Sequence, residues 1–146
     1  MDTTEKAVDY FKQGYNCAQA TAGAFADQMR MDTQSVLKVM AGFGAGVGGL
    51  RETCGAVSAM VFVAGALAGL YPPTDKAAKK ALYDTVKQMV RGFADKHGTT
   101  QCGELLRSAS CAAAPDPSER TDEYYAKRPC ARFVATAADI IAKNLR

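Results

Sequence analysis

Cys54 stands at the junction between a glycine-rich run, Gly42-Phe43-Gly44-Ala45-Gly46-Val47-Gly48-Gly49, and an uncharged segment that begins Thr53-Cys54-Gly55-Ala56-Val57-Ser58-Ala59. A thiol at the start of a helix faces backbone N–H groups without intrahelical partners and the positive end of the helix dipole. Both favour the thiolate, the form of cysteine that attacks electrophiles and binds metals. Cys17, Cys102 and Cys130 have comparable settings: Cys17 follows Asn16, a strong N-cap residue, Cys102 lies just beyond the cap candidate Thr100, and Cys130 follows Pro129, a favoured first-turn residue. Packing alone does not require this pattern, because a buried cysteine serves equally well in a helix interior. Cys111, in Ser110-Cys111-Ala112-Ala113, has no helix start before it and reads as an incidental thiol.

Two chemistries suit such a set. In thiol–disulfide exchange, a low-pKa thiolate attacks a disulfide and a second cysteine resolves the mixed species. Cys54 is then the expected attacking thiol, with faster alkylation than Cys111. Cys17 is the first choice as its resolving partner, and Cys102 with Cys130 form a second pair, although sequence leaves the pairing open. Its partner would be a redox protein or a small thiol or disulfide, and the activity that of a thiol–disulfide oxidoreductase. Alternatively, Cys17, Cys54, Cys102 and Cys130 hold Zn²⁺ or an iron–sulfur cluster. A structural or interaction protein with inert thiols is the third reading.

Other chemistries find little support. No Cys-x-x-Cys pair exists, so the short zinc, thioredoxin and haem-attachment signatures are absent. Gly44, Gly46 and Gly49 match Gly-x-Gly-x-x-Gly, but no strand precedes them, as dinucleotide binding would require. His97, the only histidine, precedes Gly98 at a predicted helix end, where a cation caps favourably. A net charge of +3 spread along the chain, with no Trp, argues against nucleic acid as a partner. The N-terminus, Met-Asp-Thr-Thr-Glu-Lys, has no apolar signal core, and five cysteines are an odd number. Both favour a reducing, cytoplasmic setting.

The elements that must position these thiols are helical. Asp2 or Thr3 caps a first helix to about Lys12, Asn16 caps a second from Cys17 to about Met29, and Asp32 or Thr33 opens a third. Residues Thr53 to Thr74 carry no charge, yet their small-residue content suits a buried central helix, about Glu52 to Leu70, better than a membrane span. Gly65 and Gly69 would let a neighbouring helix approach closely, so Gly65→Leu is expected to overpack it. Thr74 caps a long helix reaching His97, a short one starts near Thr100, and Ser108–Lys127 reads as irregular. A last helix starts near Pro129 and presents Phe133, Val134, Ala137, Ile140 and Ile141 on its apolar side. The expected fold is an all-α, single-domain bundle of about six to seven helices over residues 1–146.

Asn16-Cys17-Ala18-Gln19-Ala20, the glycine run, Glu52-Thr53-Cys54-Gly55-Ala56-Val57-Ser58-Ala59, and then Cys102 and Cys130 together resemble the C_GCAxxG_C_C family of redox-active proteins. The resemblance runs from about Lys6 to Ile141 and implies redox function at Cys17, Cys54, Cys102 and Cys130, with Cys111 outside the pattern. Thr53 replaces the glycine that the family name places before the second cysteine, and Ser58 or Ala59 replaces its final glycine.

Overall fold

Local capping sets most helix boundaries in the computed structural model, which describes residues 1–111 and 119–145 (for residues 126 and 127, the backbone alone). The helices are α1 (Thr3–Lys12), α2 (Cys17–Gly23), α3 (Ala26–Met29), α4 (Thr33–Met40), α5 (Gly55–Ala68), α6 (Lys76–His97), α7 (Cys102–Ser108), α8 (Asp122–Lys127) and α9 (Cys130–Asn144). Among the described residues there is no strand, only an isolated antiparallel bridge between Thr53 and Gln101. The chain is all-α.

Asp2 with Glu5 and Asn16 with Gln19 form reciprocal capping boxes that start α1 and α2. The second box also ties elements together. Asn16 Nδ2 donates to the Ala41 carbonyl at 3.0 Å, and Gln19 Nε2 donates to the Leu37 carbonyl at 2.9 Å, which fixes α2 against α4. Around these, α1 packs along α9, while α5 packs against α2, α6 and α9. Phe11, Phe25, Met60, Phe93, Val134 and Ile141 meet in one continuous core.

Several boundaries differ from the sequence reading. The expected helix from Cys17 to Met29 breaks after Gly23, a weak helix former, and Phe25 takes φ −107°, ψ 12° before α3 resumes. Asp75, not Thr74, caps α6, accepting from the Ala78 N–H. The stretch read as irregular from Ser108 to Lys127 contains α8, started by Thr121 Oγ1 accepting from the Tyr124 N–H; its residues 112–118 lie outside the described residues.

The central helix is shorter and more exposed than expected. Its buried residues run from Gly55 to Ala64, whereas Leu67 is 42% exposed and Leu70 beyond it is wholly exposed. The buried residues of α6 are Met89 and Phe93, both in its second half, so the turn end of the α5–α6 hairpin stays open. A Cβ at Gly65 would meet nothing within 4 Å, and the expected close approach there is absent. No helix among the described residues is long and apolar enough to cross a membrane.

His97 is not a cationic cap. Gly98, at φ +87°, ends α6 through its own N–H to the Ala94 carbonyl. The His97 ring packs 4.8 Å from both Phe93 and Phe133, and Nε2 pairs with Thr136 Oγ1 at 2.9 Å. Burial, helped by Lys96 and Arg132, lowers its pKa and favours the neutral ring.

Candidate functional site

Three cysteines are the first residues of helices: Cys17 of α2, Cys102 of α7 and Cys130 of α9, while Cys54 is the capping residue of α5. The bridge at Thr53 and Gln101 joins two of these starts. Cys54 N–H donates to the Thr100 carbonyl at 2.8 Å and Cys102 N–H to the Glu52 carbonyl at 2.6 Å, so Cys54 and Cys102 share one short antiparallel ribbon. Gly55 then sets α5 against α2: a Cβ there would lie 3.0 Å from the Ala18 nitrogen.

The glycine run is wound tightly over this ribbon. Ala45, Gly46, Val47, Gly48 and Gly49 all have positive φ, and Arg51 follows at φ 58°. Ala45, Val47 and Arg51 each pay about 1–2 kcal/mol for that conformation. Offsetting contacts hold it: Arg51 N–H donates to Ala45 O, Glu52 N–H to Gly46 O at 2.8 Å, and Gly103 N–H to Arg51 O at 3.0 Å. At Gly46 only glycine fits, since a Cβ would stand 2.6 Å from Cys102 Cβ. Within the run, Gly44 closes against the Asn16 side chain and Gly46 against Cys102.

Cys17, Cys54, Cys102 and Cys130 all line one cavity of about 370 Å³, together with the glycine run, Arg51, Arg120, Tyr124 and Arg128. Cys111 is not among its lining residues. The four cysteines singled out by their helix starts are thus brought together, and the fifth is not.

Their electrostatic settings differ sharply. The neighbouring Cys17 thiol draws Cys130 down to about 7 against the effect of its burial, with the guanidinium groups of Arg128 and Arg120 acting in the same direction. Beside Cys130, desolvated and facing the other thiols, Cys17 is held well above the ordinary thiol range. Burial pushes Cys54 up to about 12, even though the Ala56 and Val57 backbone N–H groups act to lower it. The expectation of an acidic, accessible Cys54 is therefore corrected. Its surface is only 4% exposed, and desolvation outweighs the helix terminus. The low-pKa thiol is Cys130. Cys54 shares its ribbon with Cys102, and Cys17 and Cys130 influence each other's titration.

Four residues of the site carried no weight in the sequence reading. Arg120 donates to the Phe11 and Tyr15 carbonyls, both at 3.1 Å, and lies 4.5 Å from the Phe11 ring centroid, which anchors its charge beside the end of α1. Arg120 and Arg128 each lie 5.1 Å from the Tyr124 ring centroid. Arg51 Nη1 donates to Cys102 Sγ at 3.5 Å. A local signal existed for Arg128, two residues before Cys130, and for Arg51, three before Cys54. None existed for Arg120 or Tyr124, which the fold delivers from beyond residue 118.

Among the described residues, no three His, Cys, Asp or Glu side chains form a group that could hold a metal ion. The four thiols share a cavity without forming a ready ligand shell. No curated protein and no solved structure matches the chain. The C_GCAxxG_C_C family, whose description reads "Putative redox-active protein", matches residues 15–144 and so includes every cysteine of the cavity. A match over nearly the whole length, with all four of these thiols inside it, means that the chain belongs to the C_GCAxxG_C_C family.

Proposed function

We propose that the protein carries out thiol–disulfide exchange, with Cys130 as the attacking thiolate and Cys17 as the resolving thiol. The observation that carries this reading is that Cys17 and Cys130 line one cavity together with Arg120 and Arg128, whose charges favour a thiolate at Cys130. Cys130 attacks one sulfur of a disulfide, forming a mixed disulfide and releasing a thiolate. Cys17 gives its proton to that thiolate, attacks Cys130 Sγ and displaces the second thiolate. The substrate gains two electrons, and Cys17 and Cys130 are left as a disulfide. Cys54, protonated through the neutral range, does not start the reaction. With Cys102 it is a second dithiol, which can take over the disulfide by internal exchange.

A pKa near 7 supports this role, because the best attacking thiol titrates near the ambient pH. A cytoplasmic location fits, since dithiols persist in a reducing compartment. The test exposes reduced, metal-free protein to hydroxyethyl disulfide under anaerobic conditions. The expected product is a Cys17–Cys130 disulfide, seen as a loss of two hydrogens and located by peptide mapping, and Cys17→Ser should trap a mixed disulfide on Cys130. Oxidation that bypasses Cys130 would sink the proposal. Zinc or an iron–sulfur cluster on the same four thiolates is the competing proposal, and it draws on their common cavity. Stoichiometric metal in anaerobically purified protein would favour it instead.

A further inference from the structure

The α5–α6 hairpin projects beyond the core as an arm. No buried residue falls between Ala64 and Met89, and from Ala66 to Ala77 every residue is exposed except the half-buried Tyr71. The end of the arm is apolar, with Leu67, Ala68, Leu70, Tyr71, Pro72 and Pro73 in succession and Leu70 wholly exposed. Behind it stands a basic collar. Lys76 opens α6, Lys79 and Lys80 follow within a turn and a half, and Tyr83, 55% exposed, lies one turn further on. Asp75 is the only acid between Glu52 and Asp84, and its carboxylate caps α6 by accepting from the Ala78 N–H. Lys80 pairs with Asp84, whereas Lys76 and Lys79 have no ion pair among the described residues. A helix N-terminus favours acids over lysines, so the fold itself gains nothing from this collar.

We propose that the arm docks on an anionic lipid surface, with residues 67–73 dipping into the headgroup layer and Lys76 and Lys79 meeting lipid phosphates. The order along the arm matches the gradient across such a surface. Apolar side chains reach the acyl boundary, tyrosines sit at headgroup level, and lysines extend towards the anions while their stems stay in apolar surroundings. A second copy of the chain fits less well, because a flat partner face covers one side of an arm exposed on all sides, and pairing would bring two lysine collars together. The arm rests on the bilayer and does not cross it, since no helix among the described residues is long and apolar enough to do so. Docking also leaves the thiols uncovered. The 14 residues of α5 put its far end about 21 Å from Cys54, and no residue between Gly55 and Cys102 lines the cavity.

The chain has no Trp, so Leu70→Trp gives the arm a single fluorescent reporter at an exposed site. On vesicles of equal parts phosphatidylcholine and phosphatidylglycerol at low salt, its emission should shift to the blue and the protein should float with the lipid. Phosphatidylcholine alone should bind it far less, and added KCl should release it. In the protein otherwise unchanged, Leu67→Ser with Leu70→Ser should weaken vesicle binding about tenfold or more, and Lys79→Gln about fivefold. Alkylation of Cys130 should be the same in these variants as in the parent, which shows that the site is intact. The proposal is overturned if anionic vesicles neither shift the emission nor carry the protein, or if the double serine variant binds them as tightly as the parent. A blue shift that grows with protein concentration in the absence of lipid would assign the arm to a second copy. An equal shift with polyglutamate would assign it to an acidic protein. Either result overturns the lipid reading.

Discussion

Burial and local charge set the acidity of Cys54 and Cys130 in opposite directions. At Cys54 two N–H groups favour the anion, yet a site 4% exposed removes more hydration than they return. At Cys130 the neighbouring Cys17 thiol and two guanidinium groups tip the balance the other way. Iodoacetamide labelling of reduced protein, read by peptide mass spectrometry across pH, should show half-maximal labelling of Cys130 near pH 7. Cys54 should stay largely unlabelled until the pH approaches about 12. Arg128→Gln should move the Cys130 midpoint upward, because it removes a positive charge and a hydrogen bond from the thiolate. A Cys54 that labels ahead of Cys130 at neutral pH would reverse the assignment.

Among the elements, the left-handed run and the central helix place opposite demands on glycine. Gly46 sits at φ +66° with Cys102 Cβ in the way, so Gly46→Ala must either shift the ribbon or strain the turn. A loss of about 1–3 kcal/mol is expected in a urea titration. Gly65 lies inside α5 at ordinary helical φ with open space beside it. Gly65→Ala should stabilise the protein by about 0.5–1 kcal/mol, because the helix then loses less backbone entropy on folding. Equal effects at the two positions would mean that the run does not hold Cys102 in place.

Across the whole molecule, the thiols make stability depend on pH in two opposed directions. Cys130 has a folded pKa of about 7 against an ordinary 9.0, so it adds stability that is present above pH 9 and lost as the pH falls through 7. Cys54 has a folded pKa of about 12, and its contribution is complete below pH 9 and lost as the pH rises towards 12. Cys17 acts in the same direction as Cys54. Under reducing conditions the urea midpoint should therefore rise from pH 7 to 9, on the order of 2 kcal/mol from Cys130, and then fall by up to about 1.4 kcal/mol per pH unit for each raised thiol. Cys130→Ser should flatten the rising limb and Cys54→Ala should soften the fall. A midpoint that does not change over this range would show that these thiols titrate alike in the folded and unfolded chain.

The helix starts at Cys17 and Cys130 were legible in the sequence because their signals are local: Asn16 and Gln19 lie within one turn of the thiol they serve, and Pro129 precedes Cys130 directly, whereas before Cys102 the capping position falls to Gln101 and not to Thr100, with no side-chain cap bond. The all-α class and the separation of Cys111 from the other four were open to the same kind of reading. The partner of each thiol was not, nor was which thiol is acidic. Cys17 meets Cys130 because α1 and α2 pack on α9, and Cys54 is buried because α5 packs between α2, α6 and α9. Arg120 brings its charge to the site by donating to a carbonyl 109 residues away. Capping and periodicity report what the backbone does over a few residues, whereas desolvation and charge pairing depend on which surfaces meet across the whole chain, and only the tertiary structure decides that.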